Sequence, residues 1–151
     1  MREPQWKESG SAFPPFPRRE DLVALDVKAV GARYSYWIDG RSVTLDRDRV
    51  TRFTIVMQGA GGGVNVLYEG LRCATQEFKT YGYGTSEGSF NAYPKQEWKH
   101  LKTIRGNEAK TYLVLLYNRY MCDARGLSLN LKTVRRQLGG FSWGHDAAFE
   151  Q

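Results

Sequence analysis

A glycine-rich turn between two β patterns constrains this chain more than any other feature. Val50 to Met57 reads as a strand, with Phe53, Ile55 and Met57 on one side. Gly59-Ala60-Gly61-Gly62-Gly63 follows, and Val64 to Phe78 then resumes a strand-like run. Glycine reaches positive φ without the clash of a Cβ, so the segment reads as a hairpin connection. A phosphate-binding loop would need a Gly-Lys-Ser/Thr ending and a helix after it, and the sequence offers neither. Antiparallel sheet is therefore expected at the centre of the chain. Further strands extend it. Tyr34, Tyr36 and Ile38 share one side of a strand, with Ser35 and Trp37 on the other. Asp39-Gly40 signals a turn into a short strand at Ser42 to Leu45, and Thr75 to Tyr83 reads as another strand. The Gly82 to Gly88 turn leads into Ser89-Phe90, whereas Leu22 to Val30 alternates only weakly.

The run Asn65-Val66-Leu67-Tyr68-Glu69-Gly70-Leu71-Arg72-Cys73 is apolar on both faces. Val64, Val66 and Tyr68 fall with Gly70; Leu67, Leu71 and Cys73 fall with Glu69. Both faces are expected to be covered. A buried Glu69 without a partner would be heavily penalised, so Arg72 or another base should stand close to it. Gly70 reads as the site of a bulge. Tyr68, Glu69 and Arg72, with Tyr81 and Tyr83 nearby, form the candidate ligand-binding set.

Helical spacing enters late. Asn107 to Cys122 reads as one helix, capped by Asn107, with Ala109, Tyr112, Leu113, Leu116 and Tyr120 along a stripe. A shorter helix carries Leu131, Val134 and Leu138, with Lys132, Arg135 and Arg136 between them, and closes at Gly139-Gly140. Between sheet and helices, Trp98 and Leu101 are three apart, which suits a short helix. The fold class expected is α+β: a twisted antiparallel sheet of five to seven strands, from about Val27 to Phe90, with the main helix packed on one face. Residues 1–20 form an extended arm, because Phe13-Pro14-Pro15-Phe16-Pro17 disfavours helix, and Phe13 and Phe16 should pack it down. A single domain spans 21–140, and 141–151 reads as a tail.

No stretch spells a reaction. Cys73, His100, Cys122 and His145 lack the paired spacing of a zinc site, so no metal or cofactor is expected. Asp46-Arg47-Asp48-Arg49 lacks the glycine and glutamate of a calcium loop and reads as local ion pairs or a turn. Cys73 with His100 as a nucleophile pair has no local signature. Asp39, Glu69 and Glu77 are the candidate catalytic carboxylates. Glu69 and Glu77 would stand about 27 Å apart on an unbroken strand, too far for a dyad. The net charge of +6 is uneven, with ten Lys/Arg against five Asp/Glu in residues 95–151. That permits a polyanion-binding surface at residues 95–136, but no run of five like charges supports it, and nucleic acid is disfavoured. The longest mostly apolar run, Tyr112 to Tyr117, is far short of the ~20 residues of a transmembrane helix. The two cysteines leave two alternatives: one bridge in an oxidising compartment, or two core thiols in the cytosol.

The Asn65 to Cys73 run resembles the signature of the cryptic neisserial protein-like family of Gram-negative periplasmic proteins. Pro14-Pro15-Phe16-Pro17, Asp39 with Ser42-Val43, Val50 with Arg52 and Thr54-Ile55-Val56, the Trp98 segment and Tyr120-Met121-Cys122 agree in order, over about residues 13–125. The resemblance implies a periplasmic protein whose export leader has been removed, and a Cys73–Cys122 disulfide. It implies no reaction. The first expectation is thus a non-enzymatic binding or envelope-associated module, whose partner is an envelope protein or a small polar ligand. The alternatives are a hydrolase-like enzyme using Glu69 or Asp39 as a base, and the polyanion-binding module.

Overall fold

The glycine turn joins the two longest strands. The structure, a computed structural model, describes residues 5–10, 12–27 and 33–139. The strands are β1 (Leu22–Leu25), β2 (Tyr34–Asp39), β3 (Thr44–Leu45), β4 (Val50–Gly59), β5 (Val64–Arg72), β6 (Glu77–Gly84), β7 (Phe90–Ala92) and β8 (Lys99–His100). They form one antiparallel sheet in the order β1-β2-β4-β5-β6-β7, with β3 paired to β4 and β8 paired to β6. At the turn, the Gly59 N–H donates to the Gly63 carbonyl and the Gly62 N–H to the Gly59 carbonyl, both at 2.9 Å, and Gly62 takes a φ of 93°.

Eight strands stand among the described residues, more than the five to seven expected, and they run from Leu22 to His100 rather than from Val27 to Phe90. The physical reason is length. β8, the strand with no counterpart in the expected set, holds two residues, too few for an alternating pattern to show, whereas β3 falls inside the expected Ser42 to Leu45 strand. Lys99–His100 is also why the Trp98–Leu101 spacing misleads: those residues are a strand followed by a 3₁₀ turn at Leu101–Ile104. The run expected to continue through Phe78 ends at Arg72, where a 3₁₀ turn at Cys73–Thr75 leads into β6.

Both sheet faces are covered. On one, Tyr36, Ile38, Phe53, Ile55 and Leu71 pack against Tyr112, Leu113, Leu116, Met121, Val134 and Leu138. Each fully buried Leu, Ile or Phe there contributes roughly 1.5–3 kcal/mol. On the other face Leu22, Trp37 and Val56 cluster with Ala24 and Val66. The N-terminal arm continues that cover, with Phe13 and Phe16 stacked on Phe90 at 5.5 and 5.1 Å between centroids. Their rings lie directly on glycine backbone: a Cβ at Gly82 would come within 2.5 Å of Phe13, and one at Gly84 within 2.8 Å of Phe16.

The expected helix from Asn107 to Cys122 is not continuous. Asn107 does cap it, its Oδ1 accepting from the Ala109 N–H at 3.1 Å, but the turn that follows is 3₁₀ (Glu108–Lys110). Regular α1 spans Tyr112–Leu115, and Leu116–Met121 is a π-helical turn. The wider turn brings Leu116 and Met121 onto one buried face, five residues apart, which a 3.6-residue stripe cannot do. Cys122 lies beyond the helix in extended backbone and bridges Ser128. Its sulfur is bonded to Cys73, with the Cα atoms 5.7 Å apart, tying the end of β5 to the end of the π turn. α2 (Leu131–Leu138) forms as the spacing predicts; Asn130 caps it, Val134 and Leu138 are buried, and Lys132, Arg135 and Arg136 are exposed. No helix among the described residues is long and apolar enough to cross a membrane. The expected tail at 141–151, with His145, lies outside the described residues.

Candidate functional site

Successive residues of a strand face opposite sides, so β5 divides the predicted set. Glu69 points to the helix-covered face, whereas Tyr68 and Arg72 point to the arm-covered face. The bulge falls between Tyr68 and Glu69, one step before Gly70, where the register moves from Tyr68↔Gly82 to Glu69↔Thr80. Tyr81 is the extra residue. Its ring lies 5.5 Å from Tyr68 and covers Gly70, where a Cβ would sit 2.7 Å from the tyrosine hydroxyl. Tyr83 pairs with Leu67 and is 38% exposed.

The expected Glu69–Arg72 ion pair does not form. Residues three apart on a strand project to opposite faces, so Arg72 cannot reach. Lys110 is the base that answers Glu69, with Nζ 2.9 Å from Oε2. Thr80 Oγ1 donates to the same oxygen at 2.7 Å, and the Tyr112 hydroxyl donates to Oε1 in a very short bond. Glu69 is fully buried and fully satisfied. Burial, and then the Glu69 charge, push the Tyr112 phenol well above its ordinary value, so it remains a donor. Lys110 is the one member with partial solvent exposure. It opens onto a cleft of about 280 Å³ whose lining includes Thr80, Tyr93, Lys95, Lys99 and Asn107. Glu97 also lines it and stands 4.0 and 3.9 Å from Lys95 and Lys99.

On the opposite face, Arg52 projects from β4 and is fully buried. Asp46-Arg47-Asp48-Arg49, read from sequence as local ion pairs or a turn, is a turn closed by the Arg49 N–H on the Asp46 carbonyl at 2.9 Å, and its two carboxylates hold Arg52, at 2.6 and 2.8 Å. Glu8 of the arm completes this group. Its carboxylate accepts from Arg52, Lys79, Tyr81 and Trp98. Burial would raise Glu8, but bonds from Lys79, Tyr81 and Arg52 win and hold it below the usual carboxylate range. Burial likewise opposes ionisation of Asp48, and Arg52 with the Ser9 and Val50 N–H groups reverses it. Arg72 stacks on Trp6, its guanidinium carbon 3.7 Å from the ring centroid. Sequence reasoning missed Glu8, Arg52, Lys79 and Trp98. Two signals were present: a cation inside the apolar β4 run, and Trp6 and Glu8 at strand spacing on an extended arm.

The sequence model of the CNP1-like family matches residues 1–139. The chain belongs to the CNP1-like family. The match extends beyond residues 13–125 at both ends and takes in Glu8 and α2. No curated protein and no solved structure matches the chain.

Two chemical alternatives can now be placed in this CNP1-like domain. Cys73 is bonded to Cys122, and His100 Nδ1 accepts the Lys102 N–H at 3.0 Å, so no Cys73–His100 nucleophile exists. Asp39 is buried, with Oδ2 accepting from the Ser42 hydroxyl at 2.9 Å and Oδ1 from the Arg41 N–H at 3.1 Å. Burial pushes its carboxyl up, and these two bonds only partly offset that. Asp39 also lines a cleft of about 320 Å³ with Phe16, Arg18 and Arg41.

Proposed function

We propose that this CNP1-like protein works in the periplasm as a non-enzymatic binding module, and that it takes a small polar anion into the cleft beside Glu69 and Lys110. One observation carries this reading: three ammonium groups, those of Lys95, Lys99 and Lys110, line one cavity against a single carboxylate, Glu97. Glu69 neutralises Lys110 and fixes it at the wall, while Lys95 and Lys99 stay exposed and uncommitted to any buried acid. Thr80, Asn107 and Tyr93 add polar groups that could orient a carboxylate or phosphate. A volume of about 280 Å³ suits a ligand of few atoms. The disulfide supports the location, because such bonds persist in oxidising compartments. The exposed Lys132, Arg135 and Arg136 suit the solvated face of α2 better than a polyanion surface.

Titration of the ¹⁵N-labelled protein with phosphate and with citrate tests this. Saturable shifts should cluster at Lys95, Lys99 and Lys110, and K99A should weaken them about fivefold or more. Shifts scattered over the surface, or none that saturate, would reject the cleft.

A second reading, a hydrolase-like enzyme using Asp39, draws on the raised Asp39 carboxyl in its own cleft beside Ser42. Glu69 does not serve that reading, because it is sealed from solvent. A panel of ester and phosphoester substrates decides: turnover that Asp39→Asn abolishes would establish the enzyme, and turnover equal in both proteins would end it.

A further inference from the structure

The arm-covered face holds a second, separately built recess. Trp6 and Glu8 sit two apart on extended chain, so both side chains turn toward the sheet while Gln5 and Lys7 are exposed. The Glu8 carboxylate accepts four bonds, none from the arm itself. Tyr81 Oη donates to Oε2 at 2.5 Å and Arg52 Nη2 to the same oxygen at 3.0 Å. Lys79 Nζ donates to Oε1 at 2.8 Å and Trp98 Nε1 at 3.2 Å. Two residues earlier, the Trp6 ring has the Arg72 guanidinium on its face and Trp98 edge-on at 5.8 Å. Its indole N–H donates to the Asp48 carbonyl at 2.8 Å.

Arg52 and Tyr81 have side-chain supports outside the arm, and Lys79 and Arg72 have their backbone fixed outside it. Asp46 and Asp48 fix Arg52. Tyr81 is seated on Gly70 and against Tyr68. Lys79 and Arg72 belong to paired strands. A domain stripped of the arm would therefore keep Arg52 and Tyr81 oriented toward a carboxylate, with Lys79 and Trp98 at its rim and the Arg72 guanidinium beside it. Donors already oriented toward one acid favour planar carboxylates of matching reach.

We propose that this recess is a peptide-binding site for an extended segment bearing an aromatic residue and, two positions on, a glutamate-length carboxylate, and that the chain's own Trp6-Lys7-Glu8 occupies it in cis. The tether supplies the arm at millimolar effective concentration, so an outside peptide binds only by displacing it. Binding of an acidic partner is thereby coupled to release of the N-terminal arm. The recess is independent of the cleft at Lys110, which opens on the other face of the sheet.

The test uses the full chain carrying Glu8→Ala and a fluorescent hexapeptide with the sequence of Gln5 to Gly10. A second peptide replaces its glutamate by glutamine. The E8A protein should bind the glutamate peptide about tenfold or more tighter than the glutamine peptide, since a charge-assisted bond to a cation is lost. Wild-type protein should bind the glutamate peptide about tenfold or more weakly than E8A, because its own arm competes. Lys79→Ala added to E8A should weaken binding again. Folding is checked by circular dichroism and by an intact Cys73–Cys122 bond; Glu8→Gln, which keeps the arm's shape, makes the same comparison if E8A does not fold. Folded E8A or E8Q that ignores the peptide, or that takes both peptides equally, overturns the proposal. So does the unfolding of both variants, because the arm would then be an indispensable part of the core.

Discussion

Glu69 and Glu8 lie on opposite faces of one sheet and are held by closely similar chemistry. Each accepts from a lysine and a tyrosine: Lys110 and Tyr112 for Glu69, Lys79 and Tyr81 for Glu8. They differ in how the acid is delivered. Glu69 stands in the middle of β5, paired to β4 on one side and β6 on the other. Its position is fixed by the ladder whether or not its side chain is satisfied. Glu8 arrives on an arm whose described residues have no strand partner, and the arm there is held by Trp6, Glu8 and the Ser9 backbone. The same hydrogen-bonding pattern is thus a rivet in one place and a latch in the other. What distinguishes structural from exchangeable is the backbone behind the carboxylate, not the groups in front of it.

The sharpest test of that contrast removes covalent support from the riveted side. Replacing both Cys73 and Cys122 by serine opens a loop of 49 residues' separation and should cost about 4 kcal/mol in urea unfolding. The arm contacts should survive in the protein that remains folded; their loss at the same time would tie the two faces together and break the comparison. Glu69→Gln comes next. It leaves Lys110 without its counter-charge and weakens the Tyr112 bond, and should cost about 2–3 kcal/mol of global stability by the same measurement. A cost near zero would mean Glu69 is no rivet. Gly70→Ala acts on the latch through packing, because the new Cβ would meet the Tyr81 hydroxyl at 2.7 Å and Val50 at 2.9 Å. About 1–2 kcal/mol is expected, with the arm loosened first. Unchanged amide protection at Ser9 would contradict that order.

Acid should produce the smallest and most selective effect. Burial works against ionisation of Glu8 and Asp48, but bonds from Lys79, Tyr81 and Arg52 on Glu8, and from Arg52 on Asp48, leave both folded-state values lowered. A lowered carboxyl stabilises the fold above its unfolded value, about 4, and that contribution is lost as pH falls through the folded value. The Ser9 N–H donates to Asp48, so its protection relative to an unfolded chain should fall as pH drops below about 4 while the core stays protected. Loss of Ser9 protection only with global unfolding would make the arm part of the core.

Local patterns in the sequence carried most of the sheet. Phe53, Ile55 and Met57 alternate with no interruption, and all three are buried as that alternation requires. Leu131, Val134 and Leu138 hold the helical period, and Val134 and Leu138 are buried. The main helix was harder, because a π turn changes its period halfway and sequence spacing assumes one period throughout. The sites were hardest. Pairing Glu69 with Arg72 overlooked the alternation of a strand, and its true base lies 41 residues away. The Glu8 cradle joins residues separated by 44 to 90 positions, and no local pattern encodes contacts of that range.

Thr80 and Tyr81 are neighbours in the chain, yet their hydroxyls bind acids on opposite sides of the sheet, Glu69 for one and Glu8 for the other. The single peptide group between them touches both environments. A carbonyl label at Thr80 would therefore stand within one residue of both acids and report on the two sides of the sheet from a single position.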